Sequence, residues 1–136
     1  EKERKRKRNN KEEMEATLEG ACEAGESFKH EFFRIFDTRR HEAHHWYKEN
    51  SLLNWNGNIF KGHDAIAQVI PKLPPSNHDV TVLDCQPVPF SNHFLIIVEG
   101  LVSFGGGVKR PFHQTFVLSP NREGCYYVES HLFRGA

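Results

Sequence analysis

The 136-residue chain is short of three things: sulfur, net charge and long apolar runs. It holds one Met and three Cys. Cys22, Cys85 and Cys125 are odd in number and widely spaced, which excludes a disulfide framework and a zinc knuckle and implies reduced thiols in cytoplasm or nucleus. Each is expected as a small core side chain. Eighteen Lys/Arg balance eighteen Asp/Glu, so no overall field steers the chain onto nucleic acid. The longest apolar run, Phe94 to Val98, is far short of the roughly 20 residues that a membrane helix needs. Neither Gly-x-Ser-x-Gly nor a Cys-His arrangement occurs, so nucleophilic catalysis has no sequence support.

What is present is a globular composition, 38% hydrophobic with eleven Phe, at a length that suits one domain. The neutral total hides a division. Residues 1–13 carry seven Lys/Arg and four Glu, or +3, leaving eleven basic and fourteen acidic residues, or −3, for 14–136. With no apolar residue to bury, 1–13 reads as a basic disordered tail: a nuclear-localisation signal, a phosphate-contacting arm, or equally a solvated leader outside the functional fold. No apolar stretch follows it, so it is not a secretory signal. Met14 is expected to be the initiator of the folded part, 14–136.

From Ala21 the apolar residues Ala24, Phe28, Phe32 and Ile35 recur at helical spacing. Asp37 or Thr38 is expected to cap a second, shorter helix reaching Trp46 and Tyr47. Asn56-Gly57 between Leu52–Trp55 and Asn58–Phe60 predicts a hairpin with a type I′ turn. A third helix after Gly62, with Ile66, Val69, Ile70 and Leu73 on one face, ends at Pro71, Pro74 and Pro75. Four long strands follow, at 79–88, 93–104, 109–119 and 125–133. Helices followed by a meander predict an α+β chain in which three N-terminal helices pack on a curved antiparallel sheet.

The strand faces carry the functional argument. Phe94, Ile96, Val98, Val102 and Phe104 alternate with Leu95, Ile97 and Leu101. Phe112, Phe116 and Leu118 oppose Val117, and Tyr127 and Phe133 oppose Tyr126, Val128 and Leu132. Both faces are therefore apolar, whereas helices can cover only one. The second face is expected to meet another subunit over about 800 Å² per partner. Asp84, Gln86, Gln114, Ser130 and Arg134 would fix register and partner choice there.

Other chemistry is weaker. His41-Glu42-Ala43-His44-His45 matches His-Glu-x-x-His, but the charged Arg39-Arg40 before it and the missing third ligand argue for a solvated His-rich face. Gly105-Gly106-Gly107 joins two strands and lacks a following Lys-Ser/Thr, so it is a turn and not a phosphate cradle. Asp84, His113, Tyr127 and His131 could line a pocket as acid/base groups, though packed or hydrogen-bonded strand residues explain them as well.

Ala21-Cys22, Asp37 to Arg40, Trp55-Asn56-Gly57-Asn58, Leu73-Pro74, Leu83-Asp84-Cys85-Gln86-Pro87-Val88, Phe112-His113-Gln114-Thr115-Phe116 and Phe133-Arg134 resemble the nuclear transport factor 2-like family. They resemble most its mRNA-export branch, the small proteins that pair with TAP-type export receptors. The resemblance runs from about Ala21 to Arg134. It implies a cone-shaped domain that heterodimerises sheet face to sheet face with a TAP-type receptor, a non-enzymatic adaptor with no cofactor. It implies that Arg134 forms an ion pair with the partner and that Gln114 and Phe116 lie on a central strand of the interface. Nucleoporin Phe-Gly repeats and mRNA would be met indirectly, at the nuclear pore, by a protein shuttling between nucleus and cytoplasm. The sister branch, a homodimer importing Ran-GDP, has a Glu after the hairpin Trp and an acidic turn after the second long strand. Asn56 and Gly105 to Gly107 stand there instead, which speaks against Ran. The alternatives are that homodimeric import factor and a cone-cavity isomerase or dehydratase.

Overall fold

The computed structural model describes residues 2–121 and 125–135, the side chains of 3 and 5–17 excepted. The phenylalanine stripe does what its spacing predicts. Helix α1, Lys2–Thr38, buries Ala21, Phe28, Phe32, Phe33 and Phe36 along one face. Upstream, the helical backbone continues through 2–13, where composition suggested an unstructured tail. Lys, Arg and Glu are good helix formers even without apolar partners.

The expected second helix is a 3₁₀ helix, Arg40–Trp46, and Arg39 precedes it with no side-chain cap. Asp37 does not cap it, because its carboxylate is turned toward the later strand that carries Ser76 and His78. The hairpin is β1, Tyr47–Trp55, and β2, Asn58–Lys61. Asn56 and Gly57 have φ of 51° and 91°, both positive as a type I′ turn requires. Helix α2, His63–Val69, runs into a 3₁₀ turn at Ile70–Lys72 that holds Pro71. Four strands complete the chain: β3, Ser76–Pro87; β4, Phe94–Phe104; β5, Arg110–Pro120; and β6, Tyr126–Gly135. The turn between β5 and β6 includes 122–124, which lie outside the described residues.

The six strands form one sheet in the order β2-β1-β6-β5-β4-β3. The α+β layering holds, but the sheet is mixed and not wholly antiparallel, since β1 pairs with β6 in parallel. No hairpin joins the first long strand to the last, so local turn geometry places no constraint on their direction. One face receives α1. Phe116 of β5 lies 4.8 Å from Phe28 and 5.0 Å from Phe32 between ring centroids, and Trp55 stacks on Phe133 at 3.9 Å.

Two β-bulges change which residues share a face. In β3, Val80 opposes Gly100 but Val82 opposes Glu99, so Thr81 is the extra residue. In β6, Val117 opposes Ser130 but Leu118 opposes Val128, which makes Glu129 the extra residue. The second bulge puts Tyr126 and Val128 on the helix-covered face with Phe133, where simple alternation assigned them to the opposite one.

Candidate partner interface

The covered face includes polar groups, and each has a partner. Tyr47 Oη lies 2.8 Å from His131 Nδ1, His131 Nε2 is 2.6 Å from Gln114 Oε1, and Gln114 Nε2 is 3.3 Å from His78 Nε2. His78 Nδ1 ends the chain 2.7 Å from Asp37 Oδ1. One arrangement of protons satisfies every member. Tyr47 donates to His131, His131 to Gln114, Gln114 to His78, and His78 to the carboxylate. Burial, reinforced by the nearby His78, pushes His131 down to about 3. Burial also raises the Tyr47 hydroxyl. At Asp37 burial opposes ionisation, yet hydrogen bonds from His78 and Ser76 hold its carboxyl below the usual range.

Arg40 locks the same end of α1. Its guanidinium donates to the carbonyls of Leu73 and Pro74 and to Ser76 Oγ at 2.7 to 3.0 Å, and it sits over the Phe36 ring. Sequence reasoning did not find this network. Its one signal was polar residues interrupting the inner-face register.

The opposite face is different in kind. One rung across all six strands reads Gln86, Leu95, Val117, Ser130, Leu52 and Lys61. The next reads Asp84, Ile97, Thr115, Leu132, Asn54 and Ile59, and a third reads Val82, Glu99, His113 and Arg134. At about 4.8 Å per strand, this surface is roughly 25 Å wide. No helix covers it. Leu132 is 43% exposed, Leu101 39% and Ile59 50%, values that mark an apolar sheet face open to solvent.

Four residues expected at an interface, Asp84, Gln86, Ser130 and Arg134, lie together on this face. Within the chain, among the described residues, none of their side chains has a hydrogen-bonding or ionic partner. That contrasts with the inner face, where no buried side-chain N or O atom among the described residues is unsatisfied. Gln114 and Phe116 do not join the four. They are 2% and 0% exposed and point toward α1, because even-numbered residues of β5 share the face of Phe112 and Leu118. Thr115 and Glu99, which the sequence reading did not place, also lie on the outer face, and Glu99 Oε1 contacts His113 Nδ1 at 3.0 Å.

The proposed acid/base constellation is not assembled. Asp84 and His113 lie outside the sheet and His131 inside it, while the Tyr127 hydroxyl accepts from Asn50 Nδ2 at 2.8 Å. A groove of about 600 Å³ opens between α1, the 3₁₀ helix and the start of β6, walled by Phe28, Trp46, Leu118 and Tyr126. None of Asp84, His113, Tyr127 and His131 lines it. The His-Glu-x-x-His match also loses its geometry. With three residues per turn, a 3₁₀ helix does not bring His41 and His45 to one face, and His44 Nδ1 instead meets His63 Nε2 at 3.1 Å. Among the described residues no group of three or more His, Cys, Asp or Glu converges as metal ligands. Cys22 and Cys125 are exposed, not core residues, while Cys85 is partly buried, and its burial pushes its thiol up to about 11. No described helix is long and apolar enough to cross a membrane.

The sequence pattern of the "Nuclear transport factor 2 (NTF2) domain" family matches residues 24–135. "NTF2-related export protein 2" of Mus musculus is 34% identical over 107 residues, 75% of each chain. Nuclear transport factor 2 of Cryptosporidium parvum superposes with a TM-score of 0.81 at 27% identity, covering 85% of this chain and 94% of that one. A chain of the Mtr2-Mex67 M domain complex of C. albicans superposes with a TM-score of 0.71, covering 83% and 93%. At 15% identity that likeness shows the fold alone.

Proposed function

Because this chain belongs to the nuclear transport factor 2 domain family, we propose that it is the small, non-enzymatic subunit of an mRNA export receptor. It pairs through the outer sheet face with the similarly folded domain of a TAP-type receptor. One observation carries the reading: an apolar face that no described helix covers, on which Asp84, Gln86, Ser130 and Arg134 lack partners among the described residues, beside an inner face whose described polar groups are satisfied. Apolar area drives association, and the unpaired polar groups select the partner that can pair them. The export-protein relative at 34% identity supports the same branch.

In this role the chain stabilises the receptor's domain, and the heterodimer carries messenger ribonucleoprotein between nucleus and cytoplasm. mRNA and nucleoporin Phe-Gly repeats are contacted through the complex. The place of the acidic turn of Ran-binding relatives is taken by Gly105 and Gly106, both at positive φ, so no carboxylate faces a basic Ran surface there.

Light scattering on a sizing column tests this, with the chain alone and mixed with a TAP-type receptor domain. A 1:1 complex formed at the expense of free chain is the expected result. A tight homodimer that ignores the receptor domain would overturn it.

A further inference from the structure

We propose that Lys2 to Arg8 is a phosphate-contacting arm that holds single-stranded RNA by charge alone. The choice of RNA as the polyanion rests on the export reading above. Six of those seven residues are basic: Lys2, Arg4, Lys5, Arg6, Lys7 and Arg8. The helical backbone of α1 runs through them, and at 1.5 Å per residue Arg8 lies about 20 Å before Ala21, the first core residue among those described. Lys2 and Arg4 are exposed and, among the described residues, pair with no carboxylate.

Three features favour a phosphate backbone. Five basic residues, 4–8, are consecutive in the sequence, with none of the periodic spacing that a partner helix reading one matched face would need, which suits a flexible polyanion better. Residues 1–13 contain no aromatic or apolar residue, so neither base stacking nor insertion into a lipid surface can supply binding energy. The remaining 14–136 carry −3 and repel a polyanion, which confines the contact to the arm. A linear import signal, read in extended form, is the competing use of such a run, and the helical backbone weighs against it.

Fluorescence anisotropy of a labelled oligouridylate with the full chain tests this. If six phosphates are neutralised, log affinity falls against log salt with a slope of about −4, a roughly 300-fold loss between 50 and 200 mM. Replacing all six basic residues with Gln is expected to weaken binding at low salt at least about tenfold. Arg4→Lys, Arg6→Lys and Arg8→Lys together are expected to preserve it, because phosphate attraction needs charge and not guanidinium geometry. The Gln variant should still pair with the receptor domain, since arm and sheet face share no residue, so loss of RNA and loss of pairing are separate results. Unchanged RNA affinity in the Gln variant overturns the proposal, and if nuclear accumulation is lost at the same time the run is an import signal. Loss of binding in the Lys variant overturns the claim of charge alone.

Discussion

Arg134 stands directly opposite His113 in the β5–β6 register, on the outer sheet face, one strand beyond the 3.0 Å contact between His113 and Glu99. The carboxylate of that rung is therefore met by His113, and among the described residues the Arg134 guanidinium has no ionic partner. Arg134→Glu is expected to weaken pairing with the receptor domain by about 2 to 5 kcal/mol, the range for a buried, hydrogen-bonded charge pair. The folded chain should not change, because Arg134 is exposed and holds nothing inside it. Titration calorimetry of variant and wild type decides this, and equal affinities would remove Arg134 from the interface.

The buried chain from Tyr47 to Asp37 makes stability depend on acid. The folded His131 is held to about 3, while in the unfolded chain it titrates near 6.5. Between those values the unfolded state takes up a proton that the folded state refuses. Stability is therefore full above pH 6.5 and falls by about 1.4 kcal/mol per pH unit below it. From pH 7.5 to 4.5 the loss is about 3 kcal/mol, measurable as a falling urea midpoint. His44, lowered by burial and by neighbouring histidines, adds a loss of the same sign, and the lowered carboxyl of Asp37 extends it to more acidic pH. His131→Gln should flatten the slope between pH 6.5 and 4.5 even if it lowers stability throughout. An unchanged slope would show that another group is responsible.

How far the sequence reveals this depends on the range of each interaction. Phe28, Phe32 and Phe36 announce α1, and Asn56-Gly57 announces its hairpin, because helical period and turn angles are local properties. Alternation in β4 separates Ile96 and Val98 from Leu95 and Ile97 correctly. Alternation in β6 fails at Glu129, because a bulge is a property of two paired strands and leaves no mark in one. The parallel pairing of β1 with β6 is hidden for the same reason. The strand-face reading places Gln114 at the interface and the resemblance places Gln114 and Phe116 there, although the parity of Phe112, Phe116 and Leu118 already groups both with the core. Asp37, which looked like a helix cap, serves a residue 41 positions later, a contact no local pattern encodes.

Two glycines are expected to respond differently to alanine. A Cβ on Gly100 would lie 1.9 Å from the backbone oxygen of Asp79, and that oxygen cannot rotate away. A Cβ on Gly25 would lie 2.0 Å from Cys85 Sγ, the end of a side chain. Gly100→Ala should thus distort the β3–β4 bulge and cost more than Gly25→Ala, whose expected penalty is about 1 to 3 kcal/mol. Combining Gly25→Ala with Cys85→Ala should recover part of that penalty by removing the sulfur. Chemical denaturation of the three variants checks the order. A Gly100→Ala protein as stable as wild type would contradict the bulge.

Phe116 and Leu132 separate folding from pairing. Phe116 is fully buried against Phe28 and Phe32, so Phe116→Ala opens a cavity beneath α1 and is expected to cost about 3 to 5 kcal/mol of stability. Where it remains folded, its outer face is unaltered and its affinity for the receptor domain should stay near that of wild type. Leu132 lies on the central outer rung between Thr115 and Asn54 and is 43% exposed. Leu132→Arg therefore leaves stability within about 0.5 kcal/mol, as surface substitutions do, yet places an unpaired charge in the middle of the proposed interface and should abolish the 1:1 complex. Urea melts and light scattering on both variants test the assignment together. Loss of pairing in folded Phe116→Ala, with pairing retained in Leu132→Arg, would mean that the partner binds on the helix side of the sheet.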